Sequence, residues 1–190
     1  VQILGISPSS GAIEGGTIVS LRGDGFVQDI LRCRFAASSG VVFGEASWFS
    51  HSLITCTTPT QAKGGSVSVD VVSSDGVEIS HQHSMFAYHE RPIIESLLPS
   101  QGQDTGGTQV TCVGANFLDT HGSSCMFGDT LATSVVVPTS SLVVCTSPRH
   151  AAGNVTVSFS NNGVDFSASM IRYRFRETSY GATIITSGGS

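Results

Sequence analysis

Ile3-Leu-Gly-Ile-Ser-Pro-Ser-Ser-Gly-Ala-Ile-Glu-Gly-Gly-Thr17 and Ile94-Glu-Ser-Leu-Leu-Pro-Ser-Gln-Gly-Gln-Asp-Thr-Gly-Gly-Thr108 decide the architecture, because they are one pattern written twice. Pro8 matches Pro99, Gly11 matches Gly102, and Gly15-Gly16-Thr17 matches Gly106-Gly107-Thr108, all 91 positions apart. Self-similarity of this kind marks repeated structural units. The correspondence continues downstream. Leu21-Arg-Gly-Asp-Gly-Phe26 aligns with Cys112-Val-Gly-Ala-Asn-Phe117, and Cys33-Arg-Phe35 with Cys125-Met-Phe127. Ile54-Thr-Cys-Thr-Thr-Pro59 aligns with Val143-Val-Cys-Thr-Ser-Pro148, and Phe86-Ala-Tyr88 with Tyr173-Arg-Phe175. The offset drifts from 91 to 87, so insertions and deletions fall between matched blocks, where surface loops tolerate them. The chain is a tandem duplication.

Within each copy the apolar residues alternate at period two: Val19 and Leu21, Val67, Val69 and Val71, then Val110 and Cys112, Val155, Val157 and Phe159. That period marks half-buried strands. Ser73-Ser-Asp-Gly76 and Ser160-Asn-Asn-Gly163 supply turn residues that tolerate positive φ. They predict hairpins joining Val67–Val72 to Val77–Ile79 and Val155–Phe159 to Val164–Phe166. About seven short strands per copy and no helix are expected. The fold class is all-β, two tandem immunoglobulin-like β-sandwiches. The boundaries are 1–90 and 91–176, with 177–190 a linker, tail or start of a further segment. His89-Glu90-Arg91 is too short for a flexible tether, and Pro92 confines Arg91 to extended conformations, so a stiff junction is expected.

A chain of 190 residues divided in two leaves each half with only about 60–65% of its unfolded surface buried, a modest basis for stability. The five cysteines offer a supplement. Cys33 and Cys56 recur as Cys125 and Cys145, so each copy most simply carries its own bridge. Each bridge closes a loop of roughly 20 residues, worth about 3 kcal/mol in the chain-entropy view. Cys112 aligns with the inward Leu21 and is expected to be a buried thiol acting as a small hydrophobe. Two regular bridges imply an oxidising compartment, secreted, cell-surface or lumenal, and an extracellular location is expected. A net charge of −5 with only 9 Lys plus Arg argues against a nucleic-acid partner. No apolar run is long enough to span a bilayer, so no membrane insertion by this segment is expected. The opening Val1-Gln2-Ile3-Leu4 lacks the features of a signal peptide, so the chain is expected to be an internal piece of something longer.

Taken in order, the matched blocks resemble the IPT/TIG family, an immunoglobulin-like fold of plexins and transcription factors. The elements are Ile-x-x-hydrophobic-x-Pro-x-x-Gly, Gly-Gly-Thr, Gly-x-x-Phe, Cys-x-Phe, Ile/Val-x-Cys-x-x-Pro and a closing aromatic pair, each present in both halves. The resemblance covers about 175 residues. In extracellular members the two cysteines bond, and Cys33/Cys56 and Cys125/Cys145 stand at those positions. The family occurs in cell-surface ectodomains, in transcription-factor dimerisation domains and as accessory domains of bacterial enzymes. Tandem copies with cysteines at the bonding positions look like the first setting.

Constellations for catalysis are missing: no nucleophile elbow, zinc-protease, phosphate-loop or dinucleotide motif occurs. No enzymatic activity, metal or cofactor is therefore expected. Gly23-Asp-Gly25 reads as a turn, His81-x-His83 lacks a third ligand, and Asp119, His121 and Ser123 lie too close on one loop to form a triad. Asp24, Asp29, Asp119 and Asp129 have no regular calcium-ligand spacing. Trp48 aligns with Val137 and is expected in the core, which leaves Tyr180 alone as a carbohydrate-stacking candidate. Two features carry more. Asn154-Val-Thr156 is a glycosylation sequon whose Asn should face outward. Arg172, Arg174 and Arg176 alternate with Tyr173 and Phe175 and should line one outward strand face, either protecting a sheet edge or docking an acidic partner or polysaccharide. The expected role is a non-catalytic binding or adhesion segment of a larger cell-surface or secreted protein. Such a segment acts as a rigid spacer whose partner is another protein or neighbouring copies of the same one. The alternative is a structural repeat of an extracellular fibre.

Overall fold

A computed structural model describes residues 1–28, 31–38, 40–73, 77, 80 and 82–178. The alternation read above becomes strands wherever it occurs. The first copy runs β1 (Gln2–Ser7), β2 (Ser10–Ala12), β3 (Ile18–Asp24), β4 (Leu31–Ala37), β5 (Gly40–Ser50), β6 (Leu53–Thr57), β7 (Gly65–Ser73) and β8 (Ser84–His89). The second runs β9 (Ile93–Leu98), β10 (Gln101–Gln103), β11 (Gln109–Ala115), β12 (Ser124–Phe127), β13 (Thr130–Leu131), β14 (Ser134–Thr139), β15 (Leu142–Thr146), β16 (Gly153–Ser160) and β17 (Arg172–Arg176). Among the described residues there is no helix, and so none long and apolar enough to cross a membrane. Among the described residues the strands number eight and nine rather than about seven, because each opening motif adds a three-residue strand after its Ser-Pro or Leu-Pro step and the second copy has two strands, β13 and β14, where the first has β5.

In the first copy the strand order is β1-β3-β6-β5-β4-β7-β8-β2. It folds into two layers because β5 pairs with β4 over its first half and with β6 from Ala46 onward. In the second copy the same path is cut into β13 and β14, giving separate sheets β10-β17-β16-β12-β13 and β14-β15-β11-β9. Pro138 sits in β14, an edge strand, where its missing amide costs no ladder bond. Each pair of layers encloses its own core. Val19, Leu21, Phe35, Ile54, Val69 and Phe86 fill the first, and Val110, Cys112, Phe127, Val143, Phe159 and Tyr173 the second. The aromatics meet edge to face, with Phe86–Tyr88 and Tyr173–Phe175 centroids both 5.0 Å apart.

The duplicated Gly-Gly-Thr has a steric cause. Gly15 and Gly106 take φ of 73° and 79°, and a Cβ on either would come within 2.6 Å of backbone at Thr58 or Pro148. The following threonines then lock the turn, with Thr17 N donating to Thr58 Oγ1 (3.0 Å) and Thr108 N to Ser147 Oγ (3.1 Å).

One expected hairpin does not form. Val164–Phe166 is not a strand, because Asn162 Oδ1 accepts from the amides of Val164 (3.0 Å) and Asp165 (2.8 Å) and so withdraws donors a ladder would use. Arg172–Arg176 pairs with β16 instead. The counterpart across Asp75-Gly76 to Ile79 lies outside the described residues.

Candidate functional site

One buried disulfide joins the layers of each sandwich. Cys33 on β4 is bridged to Cys56 on β6, and Cys125 on β12 to Cys145 on β15, with Cα–Cα distances of 6.1 and 6.2 Å. Cys112 remains a buried thiol, its Sγ 3.9 Å from that of Cys145. Desolvation pushes it up to about 12, so almost none is thiolate at neutral pH. Cys112, Cys125 and Cys145 bring three sulfurs within 4.8 Å of one another, but the bridge occupies two of them.

The outward side chains of β17 form an exposed basic row. Arg172, Arg174 and Arg176 are exposed and Tyr173 and Phe175 are buried, as the alternation requires. The edge-protecting alternative is corrected by the topology: β17 lies inside its sheet, between β10 and β16. Asn154 is exposed on β16 directly opposite Arg174, with Val155 turned inward. A depression of about 690 Å³ is lined by Asn154, Arg174, Arg176 and Glu177.

Other candidates are used structurally. Ser123 Oγ donates to Leu118 O at 2.6 Å, which ties it to its own loop. Trp48 packs against the first core and donates its indole N–H to Phe26 O (3.1 Å). His83 lies 3.4 Å from Asp70 Oδ1, while His81, Asp29 and Tyr180 lie outside the described residues. Asp70 carries no such signal in the sequence. It is fully buried on β7 beneath Arg34, whose Nη2 reaches its Oδ2 at 2.9 Å.

The junction between copies was also illegible as a pattern. Thr17 Oγ1 of the first sandwich donates to Asp165 Oδ2 of the second at 2.6 Å. Asn162 Nδ2 donates to Ser10 O (2.8 Å) and to Asp165 Oδ2 (2.8 Å), and Arg91 Nε lies 3.7 Å from Glu14 Oε2. Thr17 is thereby 1% exposed, whereas its copy Thr108 is half-buried.

These two cores, with their opening motifs and layer-bridging cysteines, define immunoglobulin-like sandwiches of one family. The IPT/TIG domain family matches residues 2–88 and again 92–175, and the chain belongs to it. Zebrafish transcription factor COE1-A is 37% identical over 78 residues, 41% of this chain and 13% of that protein. Drosophila transcription factor collier is 39% identical over 75 residues, 40% of this chain and 13% of that protein. The chain thus spans only about an eighth of the length of these relatives. The solved full extracellular region of plexin A4 superposes with a TM-score of 0.57 at 20% identity, over 93% of this chain and 16% of that one, a likeness of fold.

Proposed function

We propose that the chain is a non-catalytic extracellular binding segment of a larger cell-surface or secreted protein, in which two sandwiches form a stiff spacer presenting lateral surfaces. The observation that carries this reading is the pair of layer-bridging disulfides at equivalent places in both copies. Such bonds persist in oxidising compartments and are rare in the cytosol and nucleus. The spacer reading draws support from the Thr17–Asp165 and Ser10–Asn162 contacts across the junction. The sandwich units are proposed to be residues 1–90 and 91–176. A fibre-forming role is favoured by one observation. Val41, Val42 and Phe43 are 51%, 38% and 45% exposed on the half of β5 that pairs only with β4, an apolar edge suited to lateral contact.

Transcription-factor relatives define the competing setting, and thiol chemistry separates the two. Protein isolated from its natural source under alkylating conditions is digested without reduction. Peptides linked through Cys33–Cys56 and Cys125–Cys145, with Cys112 alkylated only after unfolding, are expected. Five thiols alkylated on unfolding without reduction would overturn the extracellular reading.

A further inference from the structure

Three of the chain's 9 Lys and Arg residues stand side by side on one strand of a protein whose net charge is −5. Among the described residues none of Arg172, Arg174 and Arg176 has a carboxylate within ion-pairing distance; the ion pairs lie elsewhere, at Arg34–Asp70, His83–Asp70 and Arg91–Glu14. Alternate residues along a strand are roughly 6.6 Å apart, so three guanidinium groups form a row roughly 13 Å long. Registers extend the row sideways. Gln101 and Gln103 of β10 lie beside Arg174 and Arg176, and Asn154 and Thr156 of β16 lie beside Arg174 and Arg172. All of these side chains are exposed.

The first sandwich is an internal control. Its strand β8 occupies the same place in the sheet, between β2 and β7. The same registers put Met85, Ala87 and His89 where the second copy has the arginines, and Ser66 where it has Asn154. The fold therefore does not need this charge, and position inside the sheet removes the edge-protecting explanation. Nothing aromatic or aliphatic projects from the row, so it lacks the apolar anchors that dominate protein interfaces. It also lacks the stacking platform that single-stranded nucleic acids use. What it offers is a regular line of guanidinium forks flanked by amides and a hydroxyl, with the exposed Glu177 carboxylate at its Arg176 end, suited to sulfate groups repeated along a chain.

We propose that the outward face of β10, β17 and β16 binds a linear sulfated polysaccharide, and that a glycan on Asn154 closes it. Because Asn154 stands directly opposite Arg174, its first sugars would lie over the middle of the row. The proposal deepens the extracellular reading, yet its test is a binding measurement on the purified full chain that does not depend on cellular location.

Unglycosylated protein is titrated with heparin at several salt concentrations. Saturable binding is expected, and R172A/R174A/R176A should weaken it at least tenfold. The triple substitution should also flatten the dependence of log affinity on log salt by about 2–3, one increment of roughly 0.7–0.9 per lost contact. The control R22A/R32A/R149A, which removes three arginines exposed elsewhere, should bind like the parent. Equal loss in both triples, or none in the first, would overturn the site. Equally tight binding of polyglutamate at matched charge would overturn the polysaccharide in favour of an acidic protein surface. Material secreted from a glycosylating eukaryotic cell should bind less heparin, with T156A restoring binding. An unoccupied Asn154, or glycosylated protein that binds fully, would overturn the closure. Unchanged melting of the triples shows that the fold is intact.

Discussion

Asp165→Ala should loosen the two sandwiches from one another without unfolding either. The carboxylate accepts from Thr17 Oγ1 at 2.6 Å and holds Asn162 Nδ2, which in turn donates to Ser10 O. Truncation removes the one charged acceptor in this set and leaves a threonine hydroxyl that is 1% exposed without its partner. Hydrogen bonds to charged groups contribute about 1.5–3 kcal/mol. Taking about 2 kcal/mol, the ratio of docked to undocked junctions falls about 30-fold. Neither core is touched, since Asp165 belongs to neither apolar cluster. Small-angle scattering should therefore move from one inter-module geometry toward a spread of angles, while each sandwich keeps its melting temperature. Thr17→Val deletes the donor and should have the same effect, and the double variant should add little to either single one. Scattering curves for Asp165→Ala that match the parent, with unshifted amide resonances at Ser10 and Thr17, would refute the clasp and with it the structural support for a stiff spacer.

Tyr173→Phe should stabilise the second sandwich. The hydroxyl is buried with no hydrogen-bond partner, and the aligned residue of the first copy is already Phe86. Removing an unsatisfied buried hydroxyl should gain about 1 kcal/mol, read as a rise of about 4–8 °C in the melting of that sandwich; a fall would mean that the hydroxyl is bonded. Thr178→Ala should raise the Asp104 pKa toward the ordinary carboxylate range. The Thr178 hydroxyl donates to Asp104 Oδ1 at 2.5 Å and is the largest cause of its depression. A depressed carboxylate contributes above its unfolded pKa, so the Asp104–Thr178 tie should hold at neutral pH and be lost as pH falls through the lowered value. NMR titration of the Asp104 carboxyl in both proteins checks it, and identical curves would contradict the assignment.

What could be read ahead from the sequence was whatever has a local cause. Period-two alternation places Val19, Leu21, Val157 and Phe159 inward because side chains of a strand alternate by geometry, and the duplicated cysteines fall on inward positions by the same rule. The arginines of β17 faced outward for that reason too. Whether β17 was an edge could not be read, because strand order is set by distant pairings. Its neighbour β10 is a three-residue strand from the opening motif, joined in parallel across more than seventy residues. The failed hairpin at Asn162-Gly163 shows the reverse error. Asn and Gly signal a turn, but the Asn162 side chain took the amides of Val164 and Asp165 and kept them from a ladder. Thr17 and Asp165, separated by 148 positions, meet only because a surface turn of one copy rests on the opening motif of the other.

The duplication separates what the fold requires from what it allows. Where both copies keep a residue, a contact explains it. Ser80 Oγ accepts from Val71 N and Ser167 Oγ from Phe159 N, both at 3.1 Å, each tying the segment after a central strand back onto that strand. Gly15 and Gly106 are fixed by a backbone that leaves no room for a side chain. Where the copies differ at equivalent exposed positions, the same scaffold has been built both ways, so folding cannot be the reason for the choice. Met85 against Arg172 is such a difference, and Ser66 against Asn154 is another, whereas Ala87 and His89, the counterparts of Arg174 and Arg176, are half-buried. Buried differences follow another logic. Cys112 for Leu21 and Tyr173 for Phe86 are exchanges inside packed cores, where they alter stability without offering a surface. A function specific to one copy must therefore reside in exposed divergence, and the arginine row of β17 is one such place.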